Sequence, residues 1–121
     1  GAKPRRIAIT SDGTIWYTDL ARGYLGKLDP ETAHVEEYPS PGGLESEPYS
    51  IAATSDGIIW YSESGVQPNT LVRFDPETAS MQSWPLPSGE STARHMVAAP
   101  DDTLWLACWG SGTMVHVQIT D

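Results

Sequence analysis

PRRIAITSDGTIWYTD (residues 4–19), PYSIAATSDGIIWYSE (48–63) and ARHMVAAPDDTLWLAC (93–108) are three versions of one pattern. They start 44 and 45 residues apart, and Trp16, Trp60 and Trp105 fall at the same place in each. A second half repeats as well, as YLGKLDPETAHVEEYPSP (24–41) and TLVRFDPETASMQSWPLP (70–87), with the shorter TMVHVQITD (113–121) in the third copy. Self-similarity at a period of this size is the signature of a repeat architecture. The 121 residues read as one segment, 1–121, of three units, 4–47, 48–92 and 93–121.

Each unit parses into strands. The first covers 7–10, 51–54 and 96–99, and the second 14–19, 58–63 and 103–108. Between them lie Ser11-Asp12-Gly13, Ser55-Asp56-Gly57 and Pro100-Asp101-Asp102. Asp-Gly between apolar runs is a strong hairpin signal, because glycine accepts the positive φ of such turns. The third strand covers 24–28, 70–74 and 113–117. Asp29-Pro30 and Asp75-Pro76 then open a turn, since proline fixes φ and donates nothing to a ladder. The fourth strand covers 35–38 and 81–84, and the third copy has none, giving eleven strands. Runs such as Ile58-Ile59-Trp60-Tyr61 are apolar on successive residues, as in strands covered on both faces. The expected fold is all-β: four-stranded antiparallel blades of a β-propeller, three repeats of a partial propeller, the third lacking its last strand.

Composition agrees. Gly and Pro make 21 of 121 residues, and Trp and Tyr make 10, which suits short strands and tight turns. A net charge of −9 argues against binding nucleic acid or an anionic membrane. No apolar run approaches the ~20 residues of a membrane helix. A single cysteine excludes an internal disulfide and, with no visible signal peptide, leans towards a reducing cytoplasm.

Three blades in a wedge leave two apolar faces in water, which a soluble monomer rarely tolerates. Two partners are expected as alternatives. One is a second copy, the homodimer closing a six-bladed ring head to tail. The other is the remaining blades of a longer chain.

The repeat resembles the virginiamycin B lyase (streptogramin lyase) family. Pro4–Asp19 with Leu25–Pro41, and Pro48–Glu63 with Leu71–Pro87, carry its P-x-x-I-A-x-x-x-D-G-x-I-W-Y-[TS]-[DE], L-[GV]-[KR]-[LF]-D-P and [YW]-P-x-P elements. NHL and gluconolactonase-like propellers share parts of it. The resemblance implies a seven-bladed propeller and ring opening of a cyclic depsipeptide lactone by elimination, with Mg²⁺. It also implies histidines after each blade's opening proline and a glutamate ending a W-F-T-E strand. The histidine positions fall here on Arg5, Tyr49 and Arg94, and the acid positions on Asp19, Glu63 and Cys108. None of the former is histidine, so none supplies the near-neutral base that elimination needs.

In a propeller the first strand of each blade is innermost. Arg5, Arg6, Tyr49, Arg94 and His95 are therefore expected on one channel rim, facing Asp19, Glu63 and Cys108 across the hairpins. As a site this is a polar ring for an anionic or polar small molecule, because the guanidinium fork suits carboxylate and phosphate. As structure it is a set of ion pairs such as Arg5–Asp19. Asp19 and Glu63 offer oxygen to Mg²⁺ or Ca²⁺, opposed by the arginines. His95 and Cys108 form a candidate catalytic pair, with the histidine activating the thiol; the alternative is a buried apolar cysteine. Trp109 has no repeat equivalent and is a ligand-contact candidate. Trp16, Trp60 and Trp105 are expected as packing residues, and His34 and His116 as outward-facing ones.

Overall fold

The computed structural model of the chain describes residues 1–87 and 92–120, so 88–91 of the second repeat and 121 of the third lie outside the described residues. The first sheet holds β1 (Pro4–Ile9), β2 (Ile15–Asp19), β3 (Tyr24–Leu28) and β4 (Val35–Pro39). The second holds β5 (Pro48–Ala53), β6 (Ile59–Glu63), β7 (Thr70–Asp75) and β8 (Ser80–Pro85). The third holds β9 (Ala93–Ala98), β10 (Leu104–Cys108) and β11 (Thr113–Val117). Strand order follows chain order in every sheet, and all pairs are antiparallel. These are the eleven strands and partial propeller that the repeats predict. No helix of the described residues is long and apolar enough to cross a membrane.

The turns form as their residues dictate. Asp12 Oδ1 accepts from Thr10 Oγ1 at 2.6 Å and from Thr14 N at 3.0 Å, and Asp56 repeats this with Thr54 and Ile58. Asp29 and Asp75 accept the amides of Glu31 and Glu77. These side-chain caps offer the backbone a partner where the ladder ends.

The inner strands begin three residues earlier than expected. Pro4, Pro48 and Ala93 pair with Asp19, Glu63 and Cys108, after a register shift that falls within each inner strand's first residues. This is a β-bulge, which re-aims the residues it carries. The opening proline is tolerated because it stands at the strand's first position.

Blades stack face to face. Trp16 and Leu25 of the first blade pack on Ile51, Ile59, Tyr61, Val72 and Phe74 of the second. Trp60 and Leu71 of the second pack on Met96, Leu104, Leu106 and Val115 of the third. The middle blade is thus covered on both sides, and every residue of β6 is buried. The outer blades keep one open face each. Ile7 and Ile9 are 61% and 63% exposed on the first, and Val97 and Met114 are 62% and 63% exposed on the third. Trp105 departs from its expected packing role for the same reason. It is 43% exposed, against 2% for Trp16 and 4% for Trp60, because no fourth blade covers it. Its ring is stacked by His116 at 4.1 Å instead.

A buried hydroxyl joins each blade to the next. Thr18 Oγ1 accepts from Arg6 N at 3.3 Å in its own blade and donates to Tyr49 O at 2.7 Å in the next. Ser62 Oγ accepts from Ser50 N at 3.1 Å and donates to Ala93 O at 3.3 Å. Repeat alignment puts Ala107 at this position in the third blade.

Thr18→Val keeps the shape but leaves the half-buried Arg6 amide and the buried Tyr49 carbonyl without this partner. It should cost about 1–3 kcal/mol in urea unfolding. A loss within about 0.5 kcal/mol, the ordinary scatter of silent substitutions, would mean that the seam does not depend on the hydroxyl.

Candidate functional site: a guanidinium and aromatic cluster on the inner strands

The bulges put residues 5–6, 49–50 and 94–95 at corresponding places on three neighbouring inner strands, with β1 beside β5 and β5 beside β9. Tyr49, on the middle strand, is 5% exposed and forms the centre. Its hydroxyl accepts from Arg5 Nη2 at 3.2 Å. The guanidinium carbons of Arg5 and Arg6 lie 5.1 and 5.5 Å from its ring centroid, within cation–π range. Arg6 Nε donates to the carbonyl of Arg94 at 3.2 Å, and Arg6 Nη2 meets His95 Nε2 at 3.2 Å. Guanidinium has donors only, so this contact uses the Nε2 lone pair of a ring protonated on Nδ1. The Arg94 guanidinium stacks on Trp109 at 4.1 Å. Trp109 is 68% exposed and forms the open edge of the cluster.

Six of the nine residues picked from the sequence therefore come together: Arg5, Arg6, Tyr49, Arg94, His95 and Trp109. The other three do not join them. Asp19 was expected to face Arg5 and Arg6; its carboxylate instead accepts from Lys3 N at 3.0 Å and from Arg22 Nε at 2.6 Å. Arg22 also pairs with Glu37. The bulge explains the exchange of partners, since residues 5 and 6 have no direct counterpart across the hairpin. Glu63 was expected beside Tyr49. It is 1% exposed and instead holds Ser40 Oγ, Gly42 N at 2.7 Å and Thr70 Oγ1 at 2.6 Å, tying the link between the first two blades to the second.

The His95–Cys108 pair does not form either. Cys108 stands opposite Ala93 and His95 opposite Ala107. Side chains alternate along a strand, so Cys108 shares the buried face of Leu104 and Leu106, while His95 is on the exposed face with Val97 and Trp105. His34 and His116 are exposed as expected, His34 beside Glu36 at 3.8 Å.

Charge separates these two layers. Among the described residues the ion pairs involve Arg22, Lys27 and His34, and none of Arg5, Arg6 and Arg94 has a carboxylate within reach. Arg94 Nε is buried without a hydrogen-bond partner. The cluster does not fit a divalent cation. Its own groups are cationic, the two acids nearby already hold donors, and no group of three or more His, Cys, Asp or Glu side chains is placed for a metal among the described residues.

The sequence reading missed Thr18 and Ser62, which position this cluster through the Tyr49 and Ala93 carbonyls. The available signal was a hydroxyl just before the acid in both complete repeats. It also missed Arg22, for which the second repeat has no counterpart.

A model of the Virginiamycin B lyase family matches residues 1–120. The chain belongs to the virginiamycin B lyase family. Among solved structures, a streptogramin B lyase superposes with a TM-score of 0.84 at 21% identity, covering 98% of this chain and 38% of that one. A catalytically inactive virginiamycin B lyase from Staphylococcus aureus with quinupristin gives 0.79 at 26% identity, covering 98% and 42%. Regucalcin from Agrobacterium tumefaciens gives 0.70 at 18%, covering 96% and 45%, a likeness of fold. No curated protein matches the chain. The chain therefore spans about two fifths of the length of the lyases it resembles.

Asp19 gives this region a pH dependence. Burial pushes its carboxyl up, but the Lys3 amide and Arg22 outweigh that and hold it below the usual carboxylate range. A depressed folded-state value adds stability above the unfolded value of about 3.9, lost as pH falls through the lower folded one. Unfolding midpoints measured between about pH 5 and 2 should fall steeply for the native chain. Asp19→Asn should flatten that slope while lowering the midpoint at neutral pH; an unchanged slope would contradict the assignment.

Proposed function

We propose that this chain is a binding module of the virginiamycin B lyase family that takes a small anion, a carboxylate or phosphate, at the cluster of Arg5, Arg6, Arg94 and His95. One observation carries the reading. In a protein of net charge −9, Arg5 and Arg6 converge on Tyr49, Arg94 lies on Trp109 beside them, and among the described residues none of the three is paired with an acid. Like charges gathered this closely repel one another, and an anion held by bidentate donors relieves the repulsion. Trp109, open to solvent beside Arg94, adds an apolar wall for the body of the ligand.

The module closes by self-association. The open face of the third blade carries Val97, Trp105 and Met114 at the positions of Ala8, Trp16 and Leu25, and the open first blade carries Ile7 and Tyr17 at those of Ile51 and Tyr61. The two open faces correspond to the two sides of the seams already made twice within the chain. Head-to-tail contact of two copies gives a six-bladed ring with two arginine clusters. Light scattering over a dilution series should return twice the chain mass; a monomer at all concentrations would assign those faces to other sequence.

Family membership favours a second reading, ring opening of a cyclic depsipeptide by elimination. Against it, Arg5, Tyr49 and Arg94 stand where the family's histidines are expected, and the cluster has no place for Mg²⁺. Incubation with quinupristin and Mg²⁺ separates the two: the binding reading expects intact ligand, and a linearised product would overturn it.

Calorimetric titration with inorganic phosphate and with succinate tests the anion site. Saturable binding is expected, weakening as salt rises. Arg6→Gln with Arg94→Gln should reduce it by about a hundredfold, two charge-assisted contacts at about 1.5 kcal/mol each. Binding unaffected by that pair would remove the cluster as the site.

A further inference from the structure

The Asp-Gly and Asp-Pro turns gather at the end of the blades opposite the arginine cluster. β1 starts at the cluster and runs to the Asp12 turn, and β3 runs the same way to the Asp29 turn. Between the first two blades, both of which have all four strands, such turns border a cavity of about 350 Å³. The first blade contributes Asp12, Trp16 and Lys27 to it, and the second Asp56, Asp75 and Glu77. This volume is in the range of small-molecule sites.

Four carboxylates thus line the cavity with one ammonium, and Lys27 already lies 3.8 Å from Glu36. Among the described residues none of the four acids is in an ion pair. Asp12, Asp56 and Asp75 each use Oδ1 in their own turn, and no hydrogen bond among the described residues uses Oδ2 of any of them. Bonds from Thr10 and Thr14 hold the Asp12 carboxyl down to about 2, so it stays charged.

Trp16 makes a second and separate demand. It lines the cavity, is 2% exposed, and its Nε1 is buried without a hydrogen-bond partner. In the second blade the equivalent Trp60 Nε1 donates to Thr54 Oγ1 at 3.1 Å. Thr10 stands where Thr54 stands and bonds to its own turn in the same way, yet it does not take the Trp16 proton. Buried donors are rarely left unpaired. The cavity therefore calls for an acceptor at the indole and positive charge at the acids. A divalent ion supplies only the charge, and no three His, Cys, Asp or Glu side chains are grouped for a metal among the described residues. A hydroxylated amine supplies both, since a hydroxyl oxygen accepts from the indole and an ammonium donates to carboxylates.

We propose that this cavity binds a small hydroxylated amine, of the amino sugar or amino alcohol class. A hydroxyl oxygen takes the Trp16 Nε1 proton, and the ammonium lies among Asp12, Asp56, Asp75 and Glu77. The site uses none of the arginines and sits at the other end of the strands, so it stands or falls independently of anion binding.

Glucosamine is titrated into the chain and followed by calorimetry and by the indole Nε1–H resonances in NMR. Saturable binding is expected, weakening as salt rises, with a shift of the Trp16 resonance. Glucose keeps the hydroxyls and lacks the ammonium, so it should bind at least about tenfold more weakly, the loss of a charge-assisted hydrogen bond. Asp12→Asn with Asp75→Asn should weaken glucosamine about tenfold for each charge removed. Asparagine keeps the turn caps, so the unfolding midpoint of this variant at neutral pH reports whether the fold is intact, and glucose against glucosamine compares ligands on the untouched chain. No saturable binding of glucosamine, equal binding of glucose, or binding indifferent to the asparagine pair would overturn the proposal.

Discussion

A buried hydroxyl fixes how one blade sits on the next. Apolar stacking drives the blades together, but it is roughly proportional to area and has no direction. The seam formed by Trp16 on Ile59 and Phe74 is set by shape alone. Thr18 Oγ1, taking the Arg6 amide and giving to the Tyr49 carbonyl, adds a direction to it. Ser62 does the same between Ser50 and Ala93. An unmade buried bond is expensive, so each hydroxyl sets the height of one inner strand against its neighbour. The candidate site depends on those heights, because Arg6 must reach the Arg94 carbonyl across the strand that carries Tyr49.

The fold was legible because its signals are local and repeated. Asp-Gly turns, Asp-Pro turns and a tryptophan in every second strand recur in register, and each repetition supports the others. Trp105 shows that burial belongs to the neighbour as much as to the residue: its sequence context matches that of Trp16, but among the described residues no blade lies on its outer side. The partners of the rim residues were less legible. A bulge adds one residue to one strand, and nothing in PRRIAI or PYSIAA announces it. With regular pairing Arg5 would face Asp19. With the bulge Asp19 turns to Arg22, and Arg5 turns to Tyr49 on the next blade. The same single-residue shift separates His95 from Cys108. The residue types of the cluster were readable, but their pairing required the register.

The family framework and the residues at the cluster are separate observations. The match over residues 1–120 concerns the blades: turns, tryptophans and strand order. At the entry of its inner strands this chain carries arginine and tyrosine. A guanidinium stays protonated throughout the working pH range and cannot act as a general base. Two of them lie on the Tyr49 phenol and the third on Trp109, with Thr18 and Ser62 bonded to the neighbouring backbone from behind.

The two outer blades are unequal ends. The first blade has all four strands and shows an apolar face with its hydroxyl already used on the inner seam. Ala107 gives the third blade no hydroxyl at the position of Thr18 and Ser62. A seam formed beyond it therefore has the apolar stacking of the inner seams without the bond that fixes their height. His116 over Trp105 shows what such an end does when nothing covers it: a polar ring from its own sheet lies on the tryptophan and shields part of the apolar surface that a neighbour would otherwise bury.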